Sequence, residues 1–469
     1  MAAGLLRIAL KPNQPMLRTL FILSILVPGF VLSLRNRYIA LLMYLWFALF
    51  RPQDWLWIDI TSLRMSLLLG VIMIVPAIAS GLLPNVTNPL SVGMVGFLLC
   101  SLVTQSVAVR PDIGWTWLDF MARLFLASTM IMTLASTPKR LAGVVAVISG
   151  SLAFHAAKAG LAFILGGGTR FADGLAGAFV DNNGYALGTV MIMPLLIAAG
   201  QGAGMIYQGR WLKWIKRAVF LGVPLCMFAV IGTYSRGGFV ALAAAAFLFV
   251  LLQRRPTIAV GGLATAIVLL LLVVPIPQSY LDRLQTIQTY KETGEESALS
   301  RWHFWAVALR MVEDRPLGVG LRQYEQAYDL YDFSHARYGH HRAVHNSHMQ
   351  VLAEIGYGGE IVWLGMFGYA VFACLRVRYR SRDERLDPDV GRFLWSTANG
   401  LLVSMFAFVI GGSFLSLALN DVTWLTFGMV GALELTTIRA LAEADEVRPH
   451  TVPLAFRAVH AFNMSRVSV

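Results

Sequence analysis

The chain has 469 residues, of which 57% are hydrophobic and 14% charged, with a mean hydropathy of +0.64. That balance excludes a soluble globular protein, which would leave most of this apolar surface in water. The formal charge of +12 raises the question of nucleic acid, but the Lys and Arg residues sit in short loops beside apolar runs, where they act as topology signals.

The first apolar run, 19–34, has no small-residue cleavage site and is followed at once by another, so it is expected to be a retained anchor. Further runs of membrane-spanning character follow at 38–50, 63–83, 89–109, 113–135, 141–165, 183–200, 217–234, 237–253, 256–275, 357–375, 394–415 and 421–438. The fold class read from them is all-α: a polytopic membrane protein of about 12 (12–13) transmembrane helices with one large, partly helical extracytoplasmic loop.

Basic clusters at Lys139/Arg140, at Arg210, Lys213, Lys216 and Arg217, at Arg254/Arg255, and at Arg376, Arg378, Arg380 and Arg382 mark cytoplasmic loops. Alternation then places 166–182, 234–237 and 276–356 on the other side. It also leaves a parity conflict at the amino-terminal end, where Arg7, Lys11 and Arg18 argue for the cytoplasm. Making one of the first two runs a half-span, or laying it in the interface, resolves it, with twelve full spans and both ends cytoplasmic. The organisation expected is an amino-terminal membrane part (1–275), the loop (276–356), a carboxy-terminal membrane part (357–438) and a tail (439–469).

Some ionisable residues fall inside the runs. Asp119 and Arg123, spaced i, i+4, can neutralise each other, while Lys158, with His155 three residues before it, is a candidate to face a water-filled cavity. Cys100, Cys226 and Cys374 lie in apolar runs without metal-ligand spacing, so neither a disulfide nor a zinc framework is expected.

The long loop exceeds the usual connection length, and such loops are functional or disordered. Trp302, Phe304, Trp305, Leu309 and Val312 favour order, as anchors of a helix over 299–313 capped by Ser297 or Ser300 and broken by Pro316-Leu317-Gly318-Val319-Gly320. Of nine histidines, five (His335, His340, His341, His345 and His348) fall in this loop's final stretch. On a helix, His341, His345 and His348 would share one face. Three uses are open: a metal site, a solvated polar face, or acid/base work on a polar substrate.

The segment Val344-His345-Asn346-Ser347-His348-Met349-Gln350-Val351-Leu352-Ala353-Glu354-Ile355-Gly356-Tyr357-Gly358 resembles the HN-x-x-L-Q-x-x-x-E-x-G-x-x-G signature of the O-antigen ligase and polymerase superfamily. Thr233-Tyr234-Ser235-Arg236-Gly237-Gly238, Ser300-Arg301, the Pro316–Gly320 break and Phe179-Val180-Asp181-Asn182-Asn183 extend the resemblance over about 165–365. The amino-terminal part is similar to relatives described as O-glycosylation ligases. Two departures stand out: His348 is an extra imidazole beside the motif, and Asp181-Asn182-Asn183 stands where Pro-Asn is common, which leaves the role of Asp181 open.

The resemblance implies a glycosyltransferase of the bacterial inner membrane with its active site facing the periplasm. Its expected partners are an undecaprenyl-diphosphate-linked polysaccharide donor, a lipid A-core acceptor and membrane lipids, with no nucleic acid. The chemistry suits the residues present. Loss of a diphosphate builds negative charge that fixed guanidinium groups can stabilise, so Arg236 and Arg301 are the catalytic candidates, unless each only anchors a span at the interface. A sugar hydroxyl needs a base, and His345 fits, giving a single inverting displacement without metal or cofactor. Arg170, Lys158, Arg342, Asn346 and His348 are the substrate-binding candidates. Tyr324, Tyr328, Tyr331 and Tyr338 are candidates to stack on sugar rings or to pack. Other acceptors would make the protein a polymerase or a protein O-oligosaccharyltransferase. A transporter of lipid-linked sugar would instead call for broken helices with paired repeats.

Overall fold

The computed structural model describes residues 16–57, 59–168, 179–258, 260–262, 264 and 296–447. Arg170, most of the 256–275 run, the first part of the long loop, the Ser297 side chain and the tail beyond 447 lie outside them. The architecture is all-α. In chain order the helices are α1 (Met16–Ser33), α2 (Arg37–Phe50), α3 (Met65–Ala79), α4 (Pro89–Gln105), α5 (Pro111–Leu134), α6 (Pro138–Leu165), α7 (Asn182–Gly202), α8 (Gly209–Gly232) and α9 (Arg236–Leu251). After the undescribed stretch come α10 (Glu296–Asp314), α11 (Tyr324–Tyr331), α12 (Ser347–Arg380), α13 (Pro388–Gly412) and α14 (Asp421–Val447). Among the described residues, 8 helices are long and apolar enough to cross a membrane, and α2, α3, α4 and α9 are shorter apolar helices. The protein is a polytopic membrane protein.

Helix starts share a device legible in the sequence, a capping side chain followed by proline at the first helical position: Asn88-Pro89, Thr137-Pro138 and Asp387-Pro388. The side-chain oxygen satisfies amide groups the helix cannot, and the ring has the right φ already. Helix α7 is the hub of the bundle, packed by α6, α8, α9 and α13, which is why its face is apolar all round.

The first two runs are separate antiparallel helices, of which α1 has the length of a candidate span and α2 is a shorter apolar helix. Asn36 ends the turn between them by capping α2, its Oδ1 accepting from Tyr38 N at 3.0 Å and Ile39 N at 3.4 Å. Helix α2 is short because Arg51, at φ 55, turns the chain left-handed ahead of Pro52. The beginning of α2 lies beside the start of α6, where the Tyr38 hydroxyl donates to Arg140 O at 2.7 Å. The beginning of α1 lies at the other end, where Trp57 N donates to Thr19 Oγ1 at 3.1 Å. Thus α1 starts, and α14 finishes, at opposite ends of the bundle, while residues 1–15, with Arg7 and Lys11, and most of the 256–275 run lie outside the described residues. Each of the four basic clusters abuts the same end of the bundle, at the starts of α6 and α8 and the ends of α9 and α12.

At the other end, the segment after α10 crosses α12. Val319 N donates to Ala353 O at 2.9 Å, Gly320 N to Glu354 O at 3.1 Å and Tyr357 N to Pro316 O at 3.1 Å. Two glycines permit this approach. Gly356 interrupts α12 at φ 74, ψ −171, and a Cβ there would lie 2.1 Å from Pro316 O; a Cβ on Gly318, at φ 91, would lie 2.4 Å from Glu354 O. Both contacts are with backbone and cannot be relieved by a rotamer change. Gly356→Ala is therefore expected to cost on the order of 1–3 kcal/mol from backbone strain alone, before the clash is counted. A detergent-solubilised variant should show a lowered Tm and reduced yield; wild-type stability would show that the crossing is not rigid.

Candidate active site

At that same end of the bundle lies a small, partly open cavity of about 270 Å³. Five separate pieces of chain build its walls. Asn183 stands at the start of α7 and Gly237 at the start of α9; Ser300, Arg301 and Phe304 come from α10. Arg342 and His345 come from the histidine-rich loop, and Phe414 and Leu415 from the turn between α13 and α14.

The first two walls are helix amino termini locked together. Ser235 caps α9 by accepting from Gly238 N at 3.0 Å, and its hydroxyl donates to Asn183 Oδ1 at 2.7 Å. Asn182 Nδ2 donates to Thr233 O at 3.0 Å. Two positive helix ends therefore meet beside the cavity, a setting that favours an anion. Arg236 is the first residue of α9 and next to Gly237, so it belongs to this rim without itself lining the cavity. Arg301 lines it, with its guanidinium 5.7 Å from the Phe414 ring centroid.

His345 is held by backbone. Its φ of 49 is a left-handed conformation that non-glycine residues adopt only when neighbours hold them, and its N–H donates to Ser416 Oγ at 3.0 Å. The next residue begins the motif helix: Asn346 Oδ1 accepts from His348 N at 2.9 Å and Met349 N at 3.2 Å. Ser347 fixes that start to the α13–α14 turn, donating to Leu415 O at 2.7 Å and accepting from Leu417 N at 3.0 Å. Burial, and then the charges of Arg301 and Arg342, hold the His345 imidazole below the ordinary histidine value; Asp181 acts in the opposite sense. The ring is thus kept in its neutral, proton-accepting form.

The structure brings Arg301, Arg342 and His345 together with Arg236 beside them at the rim, and places Asn346, His348 and Lys158 in other settings, while Arg170 lies outside the described residues. Because His341 and His345 both have left-handed φ, the three histidines do not share a helical face, contrary to the helical spacing. His341 and His340 instead approach Asp329, at 3.6 and 3.4 Å. His348 points into the bundle, its Nδ1 accepting from Trp363 Nε1 at 3.1 Å beside Phe367 and Phe408. Asn346 spends its side-chain oxygen on the cap. Lys158 stands in another part of the fold, 4.8 Å from the Trp55 ring centroid, and His155 donates to Phe50 O at 3.0 Å. Arg123 and Asp119 do pair. Tyr324 and Tyr328 are fully buried packing residues. Among the described residues, no three His, Cys, Asp or Glu side chains gather as a metal site.

Sequence reasoning missed Phe414, Leu415 and Ser416, which sit in a short connection with no local signal. It also gave no role to Glu354, whose buried carboxylate accepts from Arg322 N at 2.8 Å and Tyr324 N at 3.4 Å. Its place in the motif was the signal that could have found it.

Residues 221–364, from within α8 to the part of α12 beyond its kink, match the family described as O-antigen ligase. Residues 17–198, which contain most of α1 and run into α7, match a family of unknown function. No curated protein matches the chain. Over residues 221–364, less than half of its length, this polytopic helical membrane protein is thus similar to the O-antigen ligase family.

Proposed function

We propose that the protein is a ligase-type glycosyltransferase that moves a polysaccharide from undecaprenyl diphosphate to the lipid A-core oligosaccharide at the periplasmic face of the bacterial inner membrane. The observation that carries the reading is the convergence of a neutral imidazole, two guanidinium groups and two helix amino termini on one cavity. Its position supports the sidedness, since the basic clusters abut the opposite end of the bundle and such clusters mark the cytoplasm.

In this reading His345 accepts the proton of the acceptor hydroxyl as the oxygen attacks the anomeric carbon. The bond from that carbon to the diphosphate oxygen breaks in the same step, with inversion. Arg301, with Arg236 at the start of α9, faces the charge that develops on the departing diphosphate, and Arg342 adds a third cation.

A polymerase or a protein O-oligosaccharyltransferase would share the donor and differ in acceptor. Purified protein reconstituted with lipid-linked polysaccharide and, in parallel, core lipid A, a second lipid-linked repeat unit and an acceptor protein is expected to form product with core lipid A. Product with another acceptor reassigns the acceptor, and movement of donor across the bilayer without transfer overturns the enzyme reading.

A further inference from the structure

Beside the cavity, and outside it, lies a second constellation. His303, on α10 two residues after Arg301, donates from Nε2 to Asp332 Oδ1 at 2.7 Å, and the side chains are only 7% and 6% exposed. The imidazole is boxed by Phe333 and Tyr338, with ring centroids at 4.3 and 5.1 Å. Asp332 opens the loop that ends in the cavity and organises its first turn. Oδ1 also accepts from Ser334 N at 2.9 Å and Ser334 Oγ at 2.7 Å, and Oδ2 from Ala336 N at 2.7 Å. Burial pushes this carboxyl up, but the hydrogen bonds from Ser334, Ala336 and His303 outweigh it and hold it well below the ordinary carboxylate range. It is a buried hub, where removing His303 leaves the carboxylate one hydrogen bond short.

The loop needs such a hub. His335, Ala336, His341 and His345 all have φ between 49 and 60, the left-handed region that side chains avoid unless their surroundings hold them. Arg342 and His345 reach the cavity from this loop, whereas Arg301 reaches it from α10. The His303–Asp332 contact joins the two.

We propose that His303 and Asp332 are positioning residues: together they tie the loop carrying Arg342 and His345 to the helix carrying Arg301, and so set the base against the guanidinium groups. The inference rests on the reading of His345 as base for its effect on rate, but not for its effect on geometry. A loosened loop would leave substrate binding largely intact and misplace the base, and small misplacements are costly in the chemical step.

The test uses the full-length protein in detergent with lipid-linked donor and core lipid A. His303→Ala and Asp332→Asn are each expected to lower kcat by about 10- to 100-fold with little change in KM. The double variant should be no worse than Asp332→Asn alone, because His303 acts through Asp332. His303→Gln, whose amide keeps a donor near the Nε2 position, should recover most of the rate. A second readout does not depend on catalysis. The His345 imidazole is faced by Arg301 from α10, Arg342 from its own loop and Asp181 from the residue before α7. Releasing the loop removes burial and Arg342 from it, so its titration, followed by NMR of histidine-labelled protein, should move up towards 6.5 in His303→Ala. Unchanged kcat, or losses that add in the double variant with an unmoved His345 titration, would overturn the proposal. If His345→Ala retains full transfer while the titration still moves, the base assignment fails and the tie stands. Should His303→Ala not fold, His303→Asn, too short to reach Asp332, carries the same outcomes.

Discussion

His345→Ala is expected to leave the protein folded and inserted while lowering glycan transfer by about 10²–10⁴-fold, the usual worth of a general base. The ring contributes little to the local scaffold, since the bond to Ser416 is made by the His345 backbone, which alanine retains. His340→Ala is the matched control: its ring is 70% exposed beside Asp329 and touches no cavity wall, so the rate should stay near wild type. The pH dependence has a definite sign. The base works unprotonated, and its value in the folded protein lies below 6.5, so transfer should persist below that pH and fall only as pH drops through the lowered value. An acid limb above 6.5, or activity abolished by chelators and restored by zinc, would assign the chemistry to something other than a neutral His345.

The second large effect concerns the arginines. Arg301→Lys is expected to be nearly as damaging as Arg301→Ala, each lowering transfer by about 10²-fold or more, the scale seen when a transition-state donor is lost. A guanidinium offers a planar, permanently charged fork, and here it also lies against the Phe414 ring, a contact that an ammonium point charge reproduces poorly. Arg236→Lys should follow the same pattern. The competing account, in which these residues anchor spans at the interface, gives the opposite result, because lysine snorkels as well as arginine. Transfer rates for all four variants, with Tm to exclude misfolding, decide between them. Near-normal rates for both lysine variants would remove the pair from the site and leave the diphosphate to Arg342.

Much of the scaffold was legible because it follows from local rules. Among the described residues the apolar runs became helices, Asn88-Pro89 and Thr137-Pro138 marked starts, and Pro316–Gly320 ended the loop helix, which occupies Glu296–Asp314 where 299–313 was expected. Arg301 and His345 were legible through motif spacing. What failed was conformation set by distant partners. The spacing of His341, His345 and His348 fits a helix, yet Asp329 and Ser416 draw the first two into left-handed turns. His348 looks like a substrate ligand in sequence and is claimed by Trp363, on the far side of the Gly356 kink. Lys158 was a charge in an apolar run, and nothing local could show that α6 turns it towards Trp55 and away from the cavity. Phe414 and Leu415 carry no chemical signal and acquire one only by standing across from Arg301.

The α13–α14 turn has a consequence for how this protein is made. It supplies one wall of the cavity, Phe414 and Leu415, and the hydroxyl that holds His345, so these contacts join the carboxy-terminal hairpin to chain synthesised some 70 residues earlier. Chains emerge and fold from the amino-terminal end. While the last two helices are still leaving the ribosome, Arg236, Arg301 and His345 are already outside it, but the base lacks its anchor and the cavity lacks a side. Competence therefore arrives in one late step of biogenesis, and a nascent chain stalled before that hairpin has no assembled place in which to engage a donor.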